Sequence, residues 1–182
     1  MINSLENGQF FSEYEIDRLT DLGLWKESQS TPAKLAFAGL MLAPIMQIVM
    51  KDGHTSMNEF TAIESFVKRI RLEFELATQE DIDSIGMEMG MLPMVPSTWN
   101  DKKFLGARAV LAGMLERLTE REAHQVRNAL AKAALDIAKA EGGHLITLRS
   151  ISKDEKPLIH SIVQELRLQT TGGGLELLDK TE

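Results

Sequence analysis

Apolar residues recur every three or four positions over most of the chain, which is the spacing of one buried face of an α-helix. No stretch shows convincingly the apolar-polar alternation, with a period of two, of a half-buried β-strand. The clearest helical runs are Phe60, Ile63, Phe66, Val67, Ile70 and Phe74; Phe104, Ala107, Leu111, Met114 and Leu118; Val126, Leu130, Ala133 and Ile137; and Ile159, Ile162, Val163 and Leu166. The pattern predicts an all-α fold, a bundle of about seven helices, over approximately residues 12–22, 32–51, 56–76, 79–89, 101–118, 120–141 and 152–169.

Helix starts are marked by a recurring Ser/Thr-x-x-Glu motif. In this motif the hydroxyl accepts a hydrogen bond from a first-turn backbone N–H, and the carboxylate accepts one from the N–H of the capping residue. Proline at the first helical position marks a further start at Thr31-Pro32. The motif occurs at Ser12/Glu15, Ser56/Glu59, Thr119/Glu122 and Ser152/Glu155, with a variant at Thr78/Asp81.

The segment from Leu35 to Met50 is the most apolar part of the chain. Its sixteen residues include one clearly polar side chain, Gln47, and one proline, Pro44. This is shorter than the roughly 20 apolar residues that span a bilayer. We therefore predict a central helix that is buried on all sides, with no transmembrane segment, and peripheral association with a membrane stays open.

The second half of the chain repeats part of the first. Ser56 to Leu72 aligns without a gap to Ser152 to Leu168, with seven identical residues in seventeen positions. Each segment follows a helix that ends in an acidic residue and glycine, Asp52-Gly53 or Glu141-Gly142. The repeated unit is therefore a helix, an acidic turn and a capped helix.

The predicted organisation has three parts. Residues 1–30 form an N-terminal helical extension, residues 31–170 a helical domain, and residues 171–182 a loose acidic tail. The domain contains the first unit at 32–76 and the second at 120–169, joined through the proline-containing segment from Gly90 to Asn100.

The acidic turns have two interpretations. Glycine favours the end of a helix, and serine with glutamate favours the start of the next, so the turns need have no function beyond the fold. The same turn also brings carboxylates and free carbonyls together, and oxygen ligands are those that hard cations select.

The amino-acid composition excludes several kinds of partner and of chemical site. The 182 residues carry a formal charge of −7, which argues against nucleic acid as a partner, because such binding needs a basic surface. The chain has no cysteine, so thiol nucleophiles, cysteine zinc sites and iron–sulfur clusters are excluded. His54 and His144 each follow a turn glycine or glycine pair, and they leave a mixed histidine and carboxylate zinc site open. The first residues do not resemble a secretory signal, so we expect a cytoplasmic protein.

The segment Asp52-Gly53-His54-Thr55-Ser56-Met57-Asn58-Glu59, with its looser repeat at Glu141-Gly142 and Ser152 to Glu155, resembles the tellurite-resistance TerB-like family. The resemblance covers roughly residues 31–169. It implies an all-helical bacterial protein of the stress response, with no firmly assigned catalytic activity and with acidic turns that bind metal ions. The metal-binding positions that it implies are Asp52, Glu59, Glu141 and Glu155, with Glu64 as a weaker addition.

Three functions follow from these patterns. The first is a non-enzymatic module whose acidic turns bind calcium, magnesium, manganese or zinc, or a basic partner. The second is a scaffold that binds other proteins without metal, and a homodimer is left open. The third, a carboxylate-bridged metalloenzyme, is weaker because only Glu141 and His144 have the required Glu-x-x-His spacing, and two glycines lie between them. An EF-hand is excluded, because its register places Ile48 and Met50 where two acidic ligands are needed.

Overall fold

The computed structural model describes residues 2–6, 10–27, 31–51, 56–90, 97–140 and 155–168. Within these ranges the chain forms seven α-helices and no β-strand, which confirms the all-α prediction. The helices are α1 (Glu13–Asp21), α2 (Pro32–Val49), α3 (Met57–Leu72), α4 (Gln79–Met89), α5 (Asp101–Leu115), α6 (Glu120–Ala140) and α7 (Glu155–Glu165), preceded by a short 3-10 helix at Asn3–Glu6.

Reciprocal capping boxes start four of these helices as predicted, at Ser12/Glu15, Ser56/Glu59, Thr78/Asp81 and Thr119/Glu122. Helix α2 has Pro32 in its first turn, and the side chain of Thr31 makes no capping bond. Helix α5 begins with a cap that the motif did not identify, in which the Lys103 N–H donates to Asn100 Oδ1 at 3.0 Å. Ser152, of the fifth predicted box, lies outside the described residues.

Helix α2 is the centre of the bundle. Every residue from Leu35 to Val49 is buried, and the helix contacts each of the helices α3 to α7. This confirms the prediction of a central helix that is buried on all sides. Among the described helices, α2 is long and apolar enough to cross a membrane, but most of it is enclosed by the protein, so it gives no clear sign of a membrane span.

The N-terminal segment contributes to the same hydrophobic core as α2. Ile2, Leu5, Phe11, Leu19 and Leu22 are all buried there. The predicted extension is therefore integrated with the bundle through its apolar side chains.

Helices α3 and α6 form one of the two largest helix contacts in the described structure. At one end of this contact, Asn58 Nδ2 donates to the carbonyl oxygen of Ala140 at 3.3 Å. The start of α3 therefore lies beside the end of α6. This matters for function, because the two predicted acidic turns are adjacent in sequence to these two helix ends.

Candidate functional site

Glu59 combines deep burial with an incomplete set of hydrogen bonds. The residue is 2% exposed, in the first turn of α3. Its Oε2 accepts from the Ser56 N–H at 2.6 Å, and its own N–H donates to Ser56 Oγ at 3.2 Å. Its Oε1 is also buried but has no hydrogen-bond partner among the residues that the structure describes. A buried polar oxygen without a partner is costly, so this atom is a candidate ligand for a bound group.

Glu122 provides an internal comparison, because it occupies the same motif position at the start of α6. Its Oε2 accepts from the Thr119 N–H at 3.1 Å, and its Oε1 accepts from the Ser4 N–H at 3.1 Å. The hydroxyls of Ser4 and Thr119 also donate to Oε2, each at 2.6 Å. Burial raises the pKa of Glu122, but the hydrogen bonds from Ser4 and Thr119 outweigh it and lower the pKa to about 2. Both oxygens of this buried carboxylate are therefore satisfied, unlike those of Glu59.

The end of α6 lies beside the first turn of α3, which carries Glu59. Ala140, which accepts the bond from Asn58, is the last residue of α6, where backbone carbonyls lack partners within the helix. Four predicted ligands, Asp52, His54, Glu141 and His144, lie outside the described residues. Asp52 and Glu141 are nevertheless close in sequence to the described ends of α3 and α6.

Two other predicted ligands are described. Glu64 is exposed and lies five residues after Glu59, which is roughly 140° around the helix axis, so α3 does not bring these two carboxylates together. Glu155 begins α7 and is 2% exposed, the same value as its repeat counterpart Glu59. No group of three or more His, Asp or Glu side chains that could hold a metal occurs within the ranges that the structure describes.

A buried arginine network was missed at the sequence level. Arg108 of α5 is 1% exposed, and its Nη1 donates to Gln47 Oε1 of α2 at 3.0 Å. Arg108 Nη2 donates to Ser161 Oγ of α7 at 2.9 Å, and Arg108 Nε donates to Glu165 Oε2 of the same helix at 2.8 Å. Arg108 Nη2 also contacts the second oxygen of Glu165. One sequence signal existed: Arg108 follows Phe104 by four positions and precedes Leu111 by three, which places it on the apolar face of α5.

A small groove lies between the α1–α2 connection and α4. Its volume is about 50 Å³, and its polar lining includes Lys26, Asp81, Ser84 and Glu88. Lys26 Nζ and Glu88 Oε1 are 3.9 Å apart. This volume fits one or two water molecules, and the three predicted ligands that the structure describes, Glu59, Glu64 and Glu155, do not line the groove.

The chain was compared with protein-family models, curated proteins and solved structures, and none of these matches it.

Proposed function

We propose that this protein is a non-enzymatic, TerB-like helical module of the bacterial stress response, of the tellurite-resistance type, which binds a divalent cation where α3 begins beside the end of α6. One observation carries the proposal: Glu59 buries a carboxylate oxygen for which the described part of the chain supplies no hydrogen-bond partner. A cation bound there would compensate both the charge and the missing hydrogen bond.

The proposed ligands are mainly oxygen atoms. Glu59 Oε1 supplies one, and the end of α6 lies beside the start of α3, as the bond from Asn58 to the Ala140 carbonyl indicates. Asp52 and Glu141 are proposed to complete the set because they continue the chain from these helix ends. Such a set suits calcium, magnesium or manganese. Zinc becomes the better candidate if His54 or His144 also binds.

Thermal unfolding in the presence of metal tests the proposal. A ligand at one hundred times its dissociation constant stabilises the folded state by about 2.7 kcal/mol. For a chain of this size, that corresponds to an increase in melting temperature of about 5–10 °C. We expect calcium, magnesium, manganese or zinc to produce such an increase, and the Glu59→Gln variant to lose it.

The Glu59→Gln variant and a control variant, Asp81→Asn, distinguish loss of metal binding from loss of helix capping. Glutamine also functions in a capping box, so Glu59→Gln preserves the start of α3 while it removes the charge. Asp81→Asn makes the matched change in the capping box of α4, and it should retain the metal response. An unchanged wild-type melting temperature at millimolar metal would refute the proposal. An equal metal response in wild type and Glu59→Gln would refute the assignment of the ligand.

A metal-independent scaffold is the second candidate. It is favoured by large apolar side chains that remain exposed on the described surface, Tyr14, Met57, Leu72, Met87 and Leu105. Partners captured equally well with and without a chelator would support this function. Elemental analysis of the purified protein separates both candidates from a carboxylate-bridged enzyme, which would carry about two iron or manganese ions per chain.

A further inference from the structure

Helix α7 is held against α2 and α5 largely by polar groups. Five polar or charged residues are buried within the described ranges, and three of them belong to α7 or to the network that holds it: Gln47, Arg108 and Glu155. Just after the helix, Arg127 Nε of α6 donates to the Leu166 carbonyl oxygen at 3.1 Å. A contact of this composition is typical of interfaces between domains that move relative to each other.

The apolar part of the α7 contact is short. Four side chains from this part of the chain are buried, Ile159, Ile162, Leu166 and Leu168, and the last two follow the end of the helix at Glu165. Helix α6, by comparison, buries nine apolar side chains along its length. Water can hydrate the polar groups of the α7 contact when the helix separates, but it cannot replace apolar burial. Separation therefore costs less for α7 than for α6.

Separation of α7 would also release order and strain. The helix has eleven residues, fewer than the roughly 12–15 at which an isolated helix becomes marginally stable in water, so it unfolds once it leaves the bundle and regains conformational entropy. Arg167, two residues after the helix ends, has a φ of +50°, which a residue with a side chain disfavours. Unfolding of α7 relieves this strain.

Glu165 is the point at which water reaches the buried network. Its side chain is 43% exposed, whereas that of Arg108 is 1% exposed. Ser161 Oγ donates to Glu165 Oε1 at 3.2 Å, so the two α7 partners of Arg108 also contact each other. Since Ser161 and Glu165 are on the same helix, their bonds to Arg108 break together when α7 separates.

We propose that α7 is a detachable lid, which separates from α2 and α5 and unfolds as a unit while α1 to α6 stay folded. The docked form is the major one, and the ion pair between Arg108 and Glu165 sets how often the lid opens. The open form exposes Arg108, Gln47 and the apolar surface that α7 covers. This inference goes beyond cation binding and does not depend on it, because Glu59 belongs to α3.

Native-state hydrogen exchange of the wild-type protein tests the lid, with a chelator present so that bound metal makes no contribution. We expect the amides of α7 to exchange at least about tenfold faster than the most protected amides of α3 and α6. Their exchange should also depend less steeply on urea, because opening of one helix exposes less surface than global unfolding. Equal protection and equal urea dependence in the three helices overturn the proposal.

Two variants distinguish opening of the lid from global unfolding. Glu165→Ala weakens docking and should accelerate exchange in α7 by about 30-fold or more, whereas Gln164→Ala, at its exposed neighbour, should leave it nearly unchanged. Gly39→Ala strains the contact with Leu24, which stays intact in the open form, so it should accelerate exchange in α3 but not in α7. Equal acceleration of α3 and α7 by Gly39→Ala overturns the lid. Unchanged α7 exchange in Glu165→Ala overturns the role of the ion pair.

Discussion

The buried network around Arg108 makes the sharpest prediction for stability. Arg108 is 1% exposed and joins α2 to α7 through Gln47, Ser161 and Glu165. A positive charge inside the bundle is costly unless it is paired, so the partners of Arg108 must compensate the charge of its guanidinium. The perturbation is Glu165→Ala, which removes the one negative charge from this network.

The stability that Glu165→Ala should lose lies between the loss expected for a buried ion pair and the loss expected for an exposed one. Removing one partner from a fully buried pair costs about 3–5 kcal/mol. The side chain of Glu165 is 43% exposed, so water can replace part of what it supplies to Arg108. We therefore expect Glu165→Ala to reduce the free energy of unfolding by about 2–3 kcal/mol, which corresponds to one or two charge-assisted hydrogen bonds.

Replacing Arg108 and Gln47 tests whether their hydrogen bonding, rather than the packing of their side chains, determines the loss of stability. Arg108→Met keeps much of the side-chain volume but leaves Gln47 Oε1 without its donor, at a cost of about 1–3 kcal/mol. Arg108→Met with Gln47→Leu removes both interior polar groups, and its stability should lie within about 1 kcal/mol of wild type.

Urea unfolding at equilibrium provides the measurement, with an unchanged m-value as the sign that the folded state is otherwise intact. If Glu165→Ala lies within about 0.5 kcal/mol of wild type, Glu165 does not compensate Arg108. If the double variant loses more stability than Arg108→Met alone, the unpaired Gln47 is not the source of the cost.

The remaining predictions concern acid unfolding and two glycines. Because the pKa of Glu122 is lowered from 4.5 to about 2, its carboxylate stabilises the fold above pH 4.5, and this contribution disappears as the pH falls through 2. The contribution is at most about 3.4 kcal/mol. Ser4→Ala should reduce it, so an acid-unfolding midpoint of this variant equal to that of wild type would contradict the role of Ser4. Gly39→Ala places a Cβ 2.4 Å from Leu24 Cδ2 and should cost about 1–3 kcal/mol. Gly113→Ala places its Cβ in open space, and because alanine favours a helix it should increase the free energy of unfolding by about 0.5–1 kcal/mol at low protein concentration. Equal shifts of the melting temperature in Gly39→Ala and Gly113→Ala would contradict this difference.

The sequence predicts where helices begin better than where they end. A capping box marks the start of a helix through residues that are close together in sequence. The predicted starts of α1, α3, α4 and α6 agree with the structure. The predicted end of α3 was too late, at residue 76 instead of Leu72. Phe74 and Leu76 remain buried after the helix ends, so the apolar pattern continues although the backbone turns away.

The polar interactions of the core could not be predicted in the same way, because they join distant segments. Ser4 and Glu122 are 118 positions apart, and Arg108 and Gln47 are 61 positions apart. No local pattern specifies such partners. The sequence could indicate only that Gln47 and Arg108 lie on apolar helix faces, where each requires a partner.

The contrast between Glu59 and Glu122 shows why the site needs the structure. In sequence, Ser56-x-x-Glu59 and Thr119-x-x-Glu122 are the same motif, and in both the carboxylate caps its helix while it is buried. They differ in whether a distant segment reaches the second oxygen. Ser4 does so at Glu122, whereas no donor from the described ranges does so at Glu59. Since helix capping uses one oxygen in either case, the motif predicts the cap but not the surroundings of the second oxygen, which depend on distant segments and are visible only in the structure.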